Sequence, residues 1–320
     1  MSQTVPVSLV VPTVDRPPAL ARCLDAALQG DVLPAEVVVV DQGRLDETAS
    51  VLASCRRPGV AVRHIRTDRR GLSAARNIGL ARVTSPWVAF TDDDCVPRHD
   101  WIAAVHRRSG EPDAPDAVTG RVLPLGVERE GTHTLSLRLS EEPVLFRGPA
   151  LPWLVGTGGN MALRATTLRA VGGYDERLGA GSPGAAGEDL DVVHRLLRSS
   201  ATIAFDPEIV VFHDRVTAER RLATRRTYGF GLGAFVGVWI RSDHWVATVL
   251  GRWLLAQARL ATRAAMRRDG WRLREAGLLV AGAFAGVPYG LQLRSPWPTG
   301  PREPTGAVGS HDAAIDVEDL

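Results

Sequence analysis

WVAFTDDD, residues 87–94, is an apolar run followed by Asp92, Asp93 and Asp94 in succession. Four apolar residues between polar neighbours read as a buried strand, and three adjacent acids at its carboxyl end repel one another unless a cation neutralises them. In open α/β sheets, ligands bind outside the carboxyl ends of the strands. The triplet therefore stands where such a fold would hold a divalent metal and a phosphate-bearing ligand. A solvated acidic turn is the alternative, since Asp is common in turns.

Working outward, strand-like and helix-like stretches alternate. Val7 to Val11 reads as a strand, Arg16 to Gln29 as an amphipathic helix and Glu36 to Val40 as a second strand ending at Asp41. Val60 to Ile65 gives a third strand and Leu72 to Ala81 a helix before the Trp87 strand. This alternation predicts an α/β protein with a parallel sheet and helices on both faces. Its ligand edge would gather Thr13, Asp15 and Arg16 after the first strand, Asp41 after the second, Asp68 to Arg70 after the third and the triplet after the fourth.

Beyond Asp116 the texture changes. LPWLVGTGGNMAL, residues 151–163, places Gly156, Gly158 and Gly159 where a backbone must pass close to something or adopt positive φ. A segment rich in Gly, Ser, Pro and Ala then delivers Glu188 and Asp189 onto the first turn of a helix predicted to run from Leu190 to Leu197. Acids there also serve as plain helix-terminus charges, worth roughly 0.3–1 kcal/mol. Short strands are expected at Thr202 to Phe205 and Ile209 to Phe212, with His213 directly after.

Composition bounds the rest. The chain has 320 residues, 45% hydrophobic, with a net charge of +2, enough for one large core or two modest ones. All 38 basic residues are Arg. The lack of Lys excludes a phosphate-binding loop ending in Lys, a kinase lysine, a Schiff-base lysine and a Ser-Lys dyad. Cys23, Cys55 and Cys95 have wide, unpatterned spacing, which suggests reduced thiols in the cytoplasm and argues against a zinc site. The opening MSQTVPVSLVVP has no positive segment before its apolar run and is read as a strand, not a signal peptide.

In order, VVPTVDR, VVVVDQG, GLSAARNIGLA, FTDDD, GTGGNMALR, GGYDERLG, GEDLDVVHRLL and FDPEIVVFHDR resemble the motifs of family 2 glycosyltransferases with the GT-A fold. The resemblance covers about Val5 to Arg215. It implies an inverting, metal-dependent enzyme moving a sugar from a nucleotide-diphosphate donor to a hydroxyl acceptor, with residues 1–115 as nucleotide half and 116–214 as acceptor half. Asp92, Asp94 and His213 would hold Mn²⁺ or Mg²⁺, with Asp92 alternatively on the ribose. Thr13 and Asp41 would hold base and ribose, joined on the donor side by Asp15, Arg16, Asp93, Arg70 and Arg76. Asp189 would be the general base, with Gly158, Gly159, Asn160 and Glu188 on the acceptor. VDQG departs from the family's more usual Asp or Asn followed by Gly-Ser, which bears on the ribose contacts near Gln42. A nucleotidyltransferase acting on a sugar phosphate is the alternative enzyme, set against by the Glu188–Asp189 pair. A non-catalytic binding module would leave the acids idle.

From Arg215 to Arg274 the chain carries 13 Arg against three acids, interleaved with Trp239, Trp245, Trp253 and Trp271. Residues 215–293 are expected to form a helical extension. Arg on one helix face and Trp on the other would suit peripheral contact with an anionic membrane at the inner face of the plasma membrane. Packing on the catalytic domain or in a homodimer is the competing expectation. Ala276 to Leu293 is uncharged over 18 residues but contains Gly and Pro288, so lying on the surface is favoured over spanning. Residues 294–320 read as a disordered tail. The acceptor is expected to be a glycan or a lipid-linked or cell-envelope molecule, and nucleic acid is not an expected partner.

Overall fold

A computed structural model describes residues 2–293; the tail expected at 294–320 lies outside the described residues. In chain order the first half comprises β1 (Gln3–Thr13), α1 (Pro17–Ala27), β2 (Val32–Asp41), α2 (Glu47–Ser54), β3 (Ala61–Arg66), α3 (Leu72–Leu80), β4 (Trp87–Phe90), β5 (Cys95–Pro97) and α4 (Trp101–Ser109). There follow β6 (Ala117–Pro124), β7 (Thr132–His133), β8 (Val144–Arg147), α5 (Pro152–Val155), β9 (Met161–Arg164), α6 (Ala165–Ala170), α7 (Glu188–Arg198), β10 (Thr202–His213) and β11 (Val216–Thr217). Three long helices complete the described chain: α8 (Ala218–Trp239), α9 (Trp245–Met266) and α10 (Gly270–Gln292).

Nine strands form the main sheet among the described residues, in the order β3-β2-β1-β4-β9-β6-β10-β5, with β8 also on β10. Strands β1, β2, β3, β4, β6 and β10 run one way, while β5, β8 and β9 run against them. The sheet is thus mostly, not wholly, parallel. Central strands such as Val7–Val11 and Val37–Val40 are buried on both faces, which is why they read as continuous apolar runs without alternation. One face packs Leu20, Leu24, Trp101 and Ile102 from α1 and α4. The other packs Ala75, Leu168, Val192, Val193 and Leu196 from α3, α6 and α7.

The two short strands expected between Thr202 and Phe212 are one, β10, whose pairing with β6 shifts register between Asp206 and Val210. That irregularity accommodates the Asp-Pro-Glu break without ending the strand. Opposite it, Gly120 is obligatory, because a Cβ there would meet the Ile209 carbonyl oxygen at 1.9 Å.

The C-terminal helices correct the reading of the tryptophans. Trp239 and Trp253 lie in an apolar cluster with Leu151, Phe235, Val246, Val249 and Leu279. The Trp239 indole N–H donates to Asp191 Oδ1 at 2.8 Å, and Trp271 stacks on His133. Burying an indole against protein recovers its large apolar area and satisfies its N–H, so these rings pack on the rest of the chain and do not form a membrane-facing stripe. No described helix is long and apolar enough to cross a membrane.

Helices α8 and α10 meet backbone to backbone along Gly229, Gly233 and Gly237 on one and Gly282, Gly286 and Gly290 on the other, each series at every fourth residue. A Cβ on Gly286 would lie 2.0 Å from the Phe230 carbonyl oxygen, whereas one on Gly277 meets nothing within 4 Å. Gly286→Ala is therefore expected to destabilise by about 1–3 kcal/mol through overpacking. Gly277→Ala should stabilise by up to ~1 kcal/mol through helix propensity. Denaturant unfolding of the two variants checks the opposite signs.

Candidate active site

The carboxyl ends of β1, β2 and β4, the end of β10 and the first turn of α7 surround a cavity of about 840 Å³ lined by Thr13, Arg16, Arg70, Arg76, the acid triplet, Glu188, Asp189 and His213, among others. Register explains how His213 reaches the triplet. Strand β10 pairs antiparallel with β5 so that His213 stands opposite Cys95, and the Asp214 N–H donates to the Asp94 carbonyl at 3.1 Å.

The three acids have different surroundings. Asp93 turns inward and is 1% exposed, accepting from Thr13 Oγ1 at 2.7 Å and pairing with Arg16 at 2.8 Å. Burial pushes its carboxyl up to about 7, against the pull of Arg16. Asp94 pairs with Arg16 at 2.8 Å, and its Oδ1 is 3.8 Å from His213 Nε2. Asp92 pairs with Arg76 at 2.9 Å.

His213 Nδ1 is 2.7 Å from the Asp214 carbonyl oxygen. A carbonyl only accepts, so Nδ1 carries the hydrogen, and Nε2 is the ring nitrogen turned towards Asp94. An imidazole lone pair facing a carboxylate oxygen is a donor set that fits Mn²⁺ or Mg²⁺. Donor atoms of Asp94, Cys95 and His213 all lie within 4.8 Å of one another. Burial raises the Cys95 thiol well above its usual range, so it stays protonated and does not compete as a thiolate.

Arg76 is the hub of the far wall. Its guanidinium is 1% exposed and spans Asp92 at 2.9 Å and Glu188 at 3.2 Å, over the Tyr174 ring at 5.2 Å. Burial works against its charge, but Asp92, Tyr174, Glu188 and Asp189 hold its pKa above the ordinary guanidinium range. Gly158 is glycine for this reason: a Cβ there would sit 2.6 Å from Arg76 Nη1. Asp189 is half-buried and accepts from the Gly158 N–H at 3.3 Å and the Leu190 N–H at 2.8 Å. Burial raises the Asp189 carboxyl despite Arg76 and these N–H groups. Glu188 is raised to about 7 by burial and the neighbouring Asp189 charge.

Asp15, Asp41 and Asn160 depart from expectation. Asp15 accepts from the Arg44 and Leu45 N–H groups and fixes the loop after β2. Asp41 is fully buried, its oxygens taken by the Gly43 N–H at 2.8 Å and the His64 ring at 3.1 Å. Asn160 is also fully buried, bonded to the Trp101 indole and to the Arg121 and Ile209 carbonyls. None of the three is on the cavity wall. Packing and hydrogen-bond satisfaction claim polar groups that point into the fold, so these residues brace the site. Gln42 does face the cavity and donates to the Arg69 and Gly71 carbonyls at 2.6 and 3.0 Å. It ties the basic turn to the end of β2.

The motif reading missed the contribution of α8. Thr224, Thr227, Tyr228 and Leu232 line the cavity beside Trp153, Leu190, Trp253 and Leu279, and the Tyr228 hydroxyl is 2.8 Å from Ser136 Oγ. Their sole sequence signal was the Gly-rich pattern of α8. A Cβ on Gly187 would meet the Gly231 carbonyl oxygen at 2.6 Å, so α8 packs directly on the loop that presents Glu188.

Comparison with known proteins agrees with this geometry. The family model "Glycosyl transferase family 2" matches residues 8–172. The chain belongs to family 2 of the glycosyltransferases. The chain is 30% identical over 243 residues to the pre-mycofactocin glycosyltransferase of Mycobacterium tuberculosis, covering 72% of this chain and 47% of that protein. The chain thus spans about half the length of that relative. The succinoglycan biosynthesis protein ExoO of Rhizobium meliloti is 32% identical over 146 residues, 45% of this chain and 40% of that protein. In fold, the chain resembles a mannosyltransferase from Pyrobaculum calidifontis solved with GDP-Man and Mn²⁺. That likeness has a TM-score of 0.59 at 20% identity, over 88% of this chain and 86% of the other.

The raised Glu188 carboxyl has a signed consequence. Between its ordinary pKa of 4.5 and its folded value of about 7, the folded state keeps a proton that the unfolded chain releases. Stability of the ligand-free protein should therefore fall as pH rises through that window. Glu188→Gln is expected to flatten this slope in urea unfolding at pH 5 and 7.5, leaving the parts due to Asp93 and Asp189.

Proposed function

We infer that the chain transfers a sugar from a nucleotide-diphosphate donor to an acceptor hydroxyl with inversion at the anomeric carbon. The observation that carries this reading is the sharing of one cavity by two acid groups of different character, bridged by Arg76. On one side, Asp92, Asp94 and His213 suit a divalent cation. On the other, Asp189 stands half-buried at the start of α7. The domain division follows: residues 1–115 hold the donor, 116–214 the acceptor, and 215–293 complete the acceptor wall.

The bound cation would supply Lewis-acid stabilisation of the departing diphosphate. Thr13, Arg16 and Arg70 lie on the same wall and suit the nucleotide, Arg16 and Arg70 through guanidinium contacts to phosphate. Arg76 is already committed to Asp92 and Glu188, so it orders these acids against each other and is a weaker candidate for phosphate contact. Asp189 accepts the acceptor's hydroxyl proton as that oxygen bonds to the anomeric carbon and the bond to the diphosphate oxygen breaks. A carboxyl whose pKa is raised towards working pH is a better proton acceptor than an ordinary aspartate. Gly158, Gly159 and Glu188 shape the place where the acceptor lies. The neighbour solved with GDP-Man and Mn²⁺ supports a nucleotide sugar and a divalent metal as ligands here.

Asp189→Asn should lower transfer by ~10²–10⁴-fold, the usual worth of a general base, with donor affinity nearly unchanged. Asp94→Asn should abolish the thermal stabilisation that a nucleotide-sugar gives in the presence of Mn²⁺. A panel of UDP-, GDP- and TDP-sugars, followed by nucleoside-diphosphate release, checks both. Equal nucleotide binding in chelator would remove the metal role, and near-normal turnover by the Asp189 variant would remove the base.

The exposed face of α9 carries Arg252, Leu255, Arg259, Arg263 and Met266, with Arg267 capping its end. Guanidinium groups flanking exposed apolar side chains suit an anionic lipid surface, at about 1 kcal/mol per Arg near it, and an acceptor presented there. The full chain should float with anionic but not neutral vesicles at low salt, and Leu255→Glu with Met266→Glu should release it. Failure of the unaltered chain to float removes the membrane reading.

A further inference from the structure

A second cavity, of about 420 Å³, lies between the segment around β7 and helices α8, α9 and α10. Leu279 lines both this cavity and the catalytic one, so the two are neighbours across a single side chain. Gln257 lines it and is 1% exposed, yet neither its amide nitrogen nor its amide oxygen has a hydrogen-bond partner. Leaving a buried amide unpaired is destabilising, and such groups in folded proteins point to a partner that completes them.

The remaining walls give that partner its chemistry. Arg221 and Arg225 share one carboxylate, Glu275, while Arg215 contributes a guanidinium whose buried Nε lacks a hydrogen-bond partner. Exposed Glu128 and Arg272 on the same walls offset each other, so the cavity keeps a positive excess. Burial and the Arg221 charge hold Arg225 below the ordinary guanidinium range, against the pull of Glu275. An anion would relieve that. The stacked His133 and Trp271 rings, with centroids 5.1 Å apart, line the opening and offer an apolar surface. An amide that both donates and accepts, several guanidinium groups and an indole together match a saccharide bearing an anionic group. Hydroxyls pair with the amide, the anion with Arg, and the ring's C–H face with Trp.

We propose that this cavity is a carbohydrate subsite for the non-reacting part of the acceptor, and that this part carries a phosphate or carboxylate. The assignment rests on the transferase reading for its purpose, but binding can be measured without the donor.

The experiment is calorimetric titration of the full chain with glucose 6-phosphate, glucuronate, glucose and inorganic phosphate. At least one charged sugar should bind ten-fold or more tightly than glucose and than phosphate alone; which of the two binds separates a phosphate from a carboxylate acceptor. Gln257→Leu should weaken that binding at least ten-fold while keeping or raising Tm, since the substitution removes an unpaired buried amide. Trp271→Ala provides a second route to the same loss. Asp189→Asn should bind the sugar like the unaltered chain, so loss of the catalytic reading would leave this site standing. No saturable binding by either charged sugar, binding of glucose or phosphate as tight as theirs, or undiminished binding by the Gln257 variant would overturn the proposal.

Discussion

A buried guanidinium organises this protein. Arg76 is almost completely shielded from water, and a charge in that position is tolerable only when paired and hydrogen-bonded. Its partners are Asp92, from the turn after β4, and Glu188, from the first turn of α7, which are 96 residues apart in sequence. Satisfying one cation therefore holds the turn after β4 and the start of α7 at a fixed distance. The lack of a side chain at Gly158 follows from the same group, and so does the position of the Gly158 N–H that reaches Asp189. Removing either acid would cost the buried guanidinium one of its two ion pairs.

The acid triplet illustrates how one repeated residue acquires three functions from its surroundings. A chain turn directs Asp93 inward to Thr13 and Arg16, Asp94 towards His213 and Asp92 towards Arg76. The inward member is the one whose proton is held to about pH 7, because burial disfavours its charge more than Arg16 favours it. The other two are partly exposed to the cavity.

The C-terminal helices belong to the site as much as to the surface. Close packing of glycines between α8 and α10 lets α8 press on the loop at Gly187, and Tyr228 and Leu232 then form the wall opposite the strand ends. Their sequence suggested a membrane-facing tryptophan stripe. The rings turned inward because protein packing offered both apolar contact and a hydrogen-bond acceptor for Trp239 in Asp191. The Arg residues instead divide between buried pairs, as at Glu275, and the open face of α9.

Period and punctuation in the chain determined the alternation of β1 to β4 with α1 and α3, the strand-end position of the acids and the placement of Glu188 and Asp189 on a helix's first turn. These are local properties: buried runs, glycine-rich loops and helix starts leave their mark within a few residues. Asp15, Asp41 and Asn160 looked equivalent to true cavity residues because sequence reports a side chain's chemistry but not its direction. Only the tertiary structure set that direction, turning Asp41 to His64 and Asn160 to Trp101. It also placed an antiparallel β9 between β4 and β6, joined two expected strands into β10 and brought Gln257 to a cavity with no partner. Such outcomes depend on which distant groups compete for the same space and the same hydrogen bonds, and that competition is resolved only when the chain is packed.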